Sequence, residues 1–121
     1  MGDSKSKNVA KLFEGHEIRS VWDSERGDYW FSVVDVVSAL AKTADPRNYW
    51  KVLKKRLADE GSQLVTKCNQ LKMKSTKDGK NYKTDVLDTK GIFRLIESIP
   101  SPKAEPFKAW LARMGSEIAV S

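Results

Sequence analysis

Apolar and polar positions alternate with period two near the start of the chain and recur at helical spacing further on. Lys11-Leu12-Phe13-Glu14 and Glu17-Ile18-Arg19-Ser20-Val21-Trp22 read as strands joined by a hairpin turn at Glu14-Gly15. In the second run Ile18, Ser20 and Trp22 point one way, and Arg19 and Val21 the other. After a polar loop, the aromatic and β-branched run Tyr29-Trp30-Phe31-Ser32-Val33-Val34 predicts a third strand. Asp35 is expected to cap a helix that carries Val36, Val37 and Leu40 to about Lys42.

Thr43-Ala44-Asp45-Pro46 breaks that helix and starts another. Asp45 as cap and Pro46 as first helical residue predict a second helix to Asp59 or Glu60, closed by Gly61. At 100° per residue, Tyr49, Trp50, Leu53 and Leu57 gather on one side, with Arg47, Lys51, Lys54 and Lys55 opposite. Ser62 to Asp88 carries two β-like runs around Asp78-Gly79, a dipeptide that predicts a type I′ turn with positive φ at both positions. In this hairpin, spanning 66–84, Leu71 and Met73 share one face and Lys72 and Lys74 the other. Tyr82, Thr84 and Val86 alternate with Asn81, Lys83 and Asp85. Asp88 or Thr89 caps a third helix bearing Ile92, Phe93, Leu95, Ile96 and Ile99. Phe107, Trp110, Leu111 and Met114 mark a fourth, with Pro106 in its first turn and Gly115 near its end. The class is α+β: small antiparallel strands and hairpins packed with about four helices, the first two a helix-turn-helix-like pair. Residues 10–115 form the domain, 1–9 a flexible tail, and 116–121 a tail or the start of a linker.

Composition narrows the function. With 121 residues and 40% apolar content, the chain can bury a core without metal or disulfide. Its single cysteine, Cys68, excludes a disulfide framework and suits a reducing compartment; we read it as an inert small hydrophobe. No apolar run approaches the roughly 20 residues of a membrane span, so no membrane partner is expected. The net charge of +6 is uneven. Residues 1–41 hold 5 basic and 7 acidic side chains, residues 84–121 hold 5 of each, and residues 42–83 hold 12 and 4. The whole excess sits in the middle third, the footprint of a nucleic-acid binder.

Within that third, Arg47, Asn48 and Lys51 have the chemistry to meet base edges, Arg with guanine and Asn with adenine. Lys54, Lys55, Lys72, Lys74, Lys77, Lys80 and Lys83 suit phosphate contacts. The turn between the helices lacks the Gly common in helix-turn-helix motifs. Catalytic constellations are poor. His16 is the only histidine, so a zinc site lacks ligands, and the glycines form no phosphate loop. Asp85 and Asp88, near Lys83 and Lys90, could hold Mg²⁺, but read better as a strand end and a helix cap. No enzyme activity, metal or cofactor is expected. Trp30, Trp50 and Trp110 are read as core; an exposed Tyr49 or Tyr82 would favour stacking of unpaired bases.

Three segments in order carry a resemblance. Tyr29-Trp30-Phe31-Ser32-Val33-Val34-Asp35-Val36 leads into Asp45-Pro46-Arg47-Asn48-Tyr49-Trp50. The others are Lys83-Thr84-Asp85-Val86-Leu87-Asp88-Thr89-Lys90-Gly91-Ile92-Phe93-Arg94-Leu95-Ile96 and Ala104-Glu105-Pro106-Phe107-Lys108-Ala109-Trp110-Leu111. Over about residues 10 to 115 the chain resembles the BRO-N domain, found at the N-terminus of phage and prophage antirepressors and of baculovirus repeated-ORF proteins. The resemblance implies an α+β, DNA-binding regulatory module without catalytic residues, followed by a further C-terminal region. It implies duplex DNA as partner, in a bacterial cytoplasm, or in the nucleus for a eukaryotic virus. An antirepressor can also work by protein contact. The alternative is therefore a module that sequesters a repressor protein or forms a homodimer.

Overall fold

The computed structural model describes residues 6–75 and 77–120, with side chains from 9 to 75 and 77 to 114. Among the described residues, five antiparallel strands and five helices give the expected α+β class. The strands are β1 (Ser6–Phe13), β2 (His16–Asp23), β3 (Asp28–Ser32), β4 (Asn69–Lys74) and β5 (Asn81–Asp88), in the sheet order β1-β2-β3-β5-β4. The helices are α1 (Val33–Leu40), α2 (Pro46–Asp59), α3 (Leu64–Lys67), α4 (Thr89–Glu97) and α5 (Ala104–Val120).

β1 begins at Ser6, inside the segment read as a tail, and residues 1–5 lie outside the described residues. At the other end α5 runs past Gly115 to Val120. Phe13 pairs with His16 across a two-residue loop in which Glu14 (φ 48) and Gly15 (φ 82) are both left-handed. That is the type I′ geometry, which matches the right-handed strand twist. The Asp78-Gly79 pair, expected to adopt it, does not: only Gly79 (φ 72) has positive φ there. Lys74 instead pairs with Asn81 around a longer loop, where the Ser75 N–H donates to the Lys80 carbonyl at 2.8 Å. The Asp78 carboxylate stays outside and accepts from the Lys80 N–H at 2.9 Å.

The third predicted strand stops early because Ser32 caps α1. Its hydroxyl accepts from the Asp35 N–H at 3.4 Å, so Asp35 is the third helical residue and not the cap. The second helix matches the predicted limits. Asp45 accepts from the Asn48 N–H at 3.1 Å. Left-handed Gly61 closes a Schellman pair, Gly61 N–H to Ala58 and Ser62 N–H to Leu57. The chain after Ser62 is not a strand at first. It makes the short helix α3, which places the hairpin at 69–88 rather than from 66.

The main core lies between one sheet face and the helices. Ile18, Phe31 and Leu87 from the sheet meet Val36, Val37, Ile92, Leu95, Phe107 and Leu111, all fully enclosed. Trp50 and Trp110 are buried at its edges, as expected. On the opposite face Val21, Met73 and Val86 form a second cluster under half-buried Trp30 and Leu71. Met73 of β4 and Val21 of β2 share this cluster with Val86 of β5, although β3 and β5 lie between their strands in the sheet. The end of β4 is tied to β2 by the Arg19 guanidinium, which donates to the Lys74 carbonyl at 3.1 Å. Trp30 is half-buried on this outer face, with the Arg26 guanidinium 4.4 Å from its ring and its N–H on Asp23.

Two substitutions probe this account. Gly91 has no room for a side chain: an added Cβ would lie 2.9 Å from Cδ2 and 3.0 Å from Cβ of Leu87. Gly91→Ala is expected to lose about 1–3 kcal/mol in urea unfolding, overriding Ala's better helix propensity of about 1 kcal/mol. Glu14→Asn should gain stability, by about 0.5–1 kcal/mol, since Asn tolerates the left-handed turn. The Glu14–Lys103 pair at 3.4 Å is exposed and its loss should cost less. A lower urea midpoint for Glu14→Asn would contradict the turn assignment.

Candidate nucleic-acid interface

α2 lies beside the hairpin, and the space between them is a groove of about 420 Å³. Arg47, Lys51 and Lys54 from α2 line one wall, and Gln70, Lys83 and Asp85 the other. Two further hollows extend it. One, of about 330 Å³, adds Lys77 beyond Arg47; the other, of about 540 Å³, adds Lys55 beyond Lys51 and Lys54. The result is one trough along the side of α2. Arg47, Asn48, Lys51 and Lys55 are exposed, as are Lys72, Lys74, Lys77, Lys80 and Lys83.

The predicted contacts do not all converge. Strand register sets Lys72 directly opposite Lys83, a like-charge pair that favours a counter-anion nearby. Lys74 borders a separate groove with Arg19, Met73 and Ser75, while Asn48 and Lys80 stand outside the trough walls. Lys54 is only half-exposed. Its Nζ donates to Asp85 Oδ2 at 2.8 Å, so it serves first to tie α2 to the hairpin.

Asp85 is the residue that charge counting missed. The same carboxylate accepts from the Trp50 indole N–H at 2.8 Å and from Gln70 Nε2 at 2.9 Å. Trp50 and Lys54 are one helical turn apart and so reach one acceptor. That spacing was a readable signal, but the acceptor's position was not. Burial alone would raise the Asp85 carboxyl, yet the bonds from Lys54, Gln70 and Trp50 outweigh it and hold it below the ordinary range. Asp88 behaves alike: burial opposes ionisation, and Arg26 at 2.7 Å with the Gly91 N–H outweighs it. These two carboxylates are thus committed to α2 and to the cap of α4. Among the described residues no three His, Cys, Asp or Glu side chains gather as a metal site would need. Burial pushes the Cys68 thiol up to about 11, which disfavours the reactive thiolate.

Tyr82 was flagged, and it is exposed (44%) at the groove mouth. Its hydroxyl donates to Asp78, which holds the ring in place and raises the phenol pKa. Tyr49 is half-buried against the core. No helix among the described residues is long and apolar enough to cross a membrane.

The family model described as "BRO family, N-terminal domain" matches residues 17–118. The chain belongs to the BRO family. The match takes in every strand and helix around the trough, from β2 onward. No curated protein and no solved structure matches this BRO domain.

The Asp85 carboxyl gives a pH test. Its folded value is depressed, so its stabilisation is full above the ordinary carboxylate value of about 4 and is lost as pH falls through the lower folded value. Asp85→Asn should cost about 1–3 kcal/mol at pH 7, because Lys54 loses its counter-charge. The deficit should shrink toward pH 2–3 in parallel urea titrations. A deficit that does not change with pH would mean that the charge on Asp85 is irrelevant.

Proposed function

We propose that this BRO domain is a non-enzymatic DNA-binding regulatory domain of an antirepressor-like phage or prophage protein. It contacts duplex DNA mainly through phosphates, with α2 and the β4–β5 hairpin acting as one surface. The observation that carries the reading is the shared trough: Arg47, Lys51 and Lys54 of α2 face Lys83 of the hairpin, and Lys77 and Lys55 extend the line at its ends. Asp85 is paired with Lys54. Among the described residues Lys51, Lys55, Lys77 and Lys83 form no ion pair, so they gain by neutralising phosphates, releasing condensed counterions. Arg47 sits beside Tyr82, so the hairpin and the start of α2 meet the ligand together.

Salt-titrated mobility shift with random duplex DNA tests this. Reversing Lys51, Lys55 and Lys83 to Glu should weaken binding strongly and flatten the slope of log affinity against log salt by about three. Reversing Lys90, Arg94 and Arg113, exposed on α4 and α5, should change it far less. Equal effects would sink the proposed surface. Failure of the unaltered protein to shift DNA at low salt, together with capture of a repressor protein, would move the surface to protein recognition.

A further inference from the structure

Asn48 and Val52 sit one turn apart on the outermost line of α2. With Lys55 they fall within about 60° of one another, opposite buried Trp50, Leu53 and Leu57. Val52 is 62% exposed, in a helix face otherwise made of Asn48, Lys51, Lys55 and Asp59. A lone exposed valine is ordinary; the company of this one is not. The Asn48 N–H is held by Asp45, which fixes the backbone there, while its carboxamide bonds no described residue. Exposed Arg47, Lys51 and Lys55 border this face along the trough side of the helix.

We infer that Asn48 and Val52 are base-reading residues, Asn48 pairing with an adenine and Val52 packing on a thymine methyl nearby. The inference rests on the DNA-binding reading above. Side chains at this spacing are about 5–6 Å apart, and base pairs are stacked about 3.4 Å apart. The two bases therefore lie within two steps of each other. A carboxamide offers one donor and one acceptor edge, which matches adenine N7 and N6. Valine offers only methyl groups, and the thymine methyl is the apolar group of the major groove. Lys51 and Lys55, both on the trough side of this pair, would hold neighbouring phosphates and fix the register.

Selection from a randomised duplex pool tests the inference, followed by replacement of the selected thymine with uracil, which removes only the methyl. The unaltered protein should enrich an adenine and a thymine within two steps. Uracil should weaken its binding about fourfold. Val52→Ser should lose that sensitivity, and Asn48→Ala should lose the adenine preference, both with unchanged melting temperature. A protein that shifts duplex DNA but enriches no such pair overturns the inference. So does a Val52→Ser protein with the same site and the same uracil penalty. Both outcomes leave DNA binding standing. If the unaltered protein shifts no DNA at low salt, both readings fall.

Discussion

One arginine holds the working parts of the domain at their distances. Arg19 of β2 meets Asp35 of α1 through its backbone N–H at 2.9 Å and through its guanidinium at 2.8 and 3.2 Å. Nη2 also donates to the Ser32 hydroxyl at 3.3 Å, and Nη1 donates to the Lys74 carbonyl at 3.1 Å. One side chain thus joins the middle of the sheet, the capped start of α1 and the end of β4. The pair is largely desolvated, with 22% and 17% of the two side chains exposed. An exposed pair would contribute under about 1 kcal/mol. Here, losing one partner would strand the other charge, at a cost of about 3 kcal/mol or more. The planar fork matters as much as the charge, because its three separate nitrogens spread to Asp35, Ser32 and Lys74, where lysine offers a single nitrogen.

The rest of the interface follows from that anchor. α1 is short, and only residues 41–45 separate it from α2, so the start of α1 sets where α2 lies. Ser101 strengthens the connection by donating to the Leu40 carbonyl at 2.6 Å. On the other side, the Lys74 carbonyl is the last residue of β4 before the loop. Arg19 therefore fixes the Lys77 end of the trough, and Asp85 fixes its middle. The cations divide accordingly. Arg19 and Lys54 are spent on structure, while Arg47, Lys51, Lys55, Lys77 and Lys83 remain exposed. The cross-strand approach of Lys72 and Lys83 is unfavourable by itself, and is held by burial of Met73, Thr84 and Val86 behind it. The fold sustains a repulsion that an anion would relieve.

Much of this was legible in the chain. The α2 cap, its proline, its closing glycine and its two faces are local features, and they came out as read. So did the alternation in the hairpin, since a period of two fixes which residues share a face. The misreadings have physical causes. Ser32 and Asp35 both suit a cap, and choosing between them needs Arg19, sixteen residues before Asp35. Glu14-Gly15 took the type I′ turn that Asp78-Gly79 was expected to take, because pairing register rather than dipeptide preference sets loop length. The short helix α3 carries only four residues, too few for periodicity to declare it.

Charge, period and capping chemistry are properties of neighbours along the chain, so the sequence by itself determined the α+β class, the basic middle third and the cationic face of α2. Which of those cations share one trough is different. It depends on a hairpin whose Met73 and Val86 share a cluster with Val21, on Arg19 spanning three elements, and on Asp85 taking Lys54 out of the free set. Those partners lie thirty to more than fifty residues apart, and only packing of the whole core brings them together.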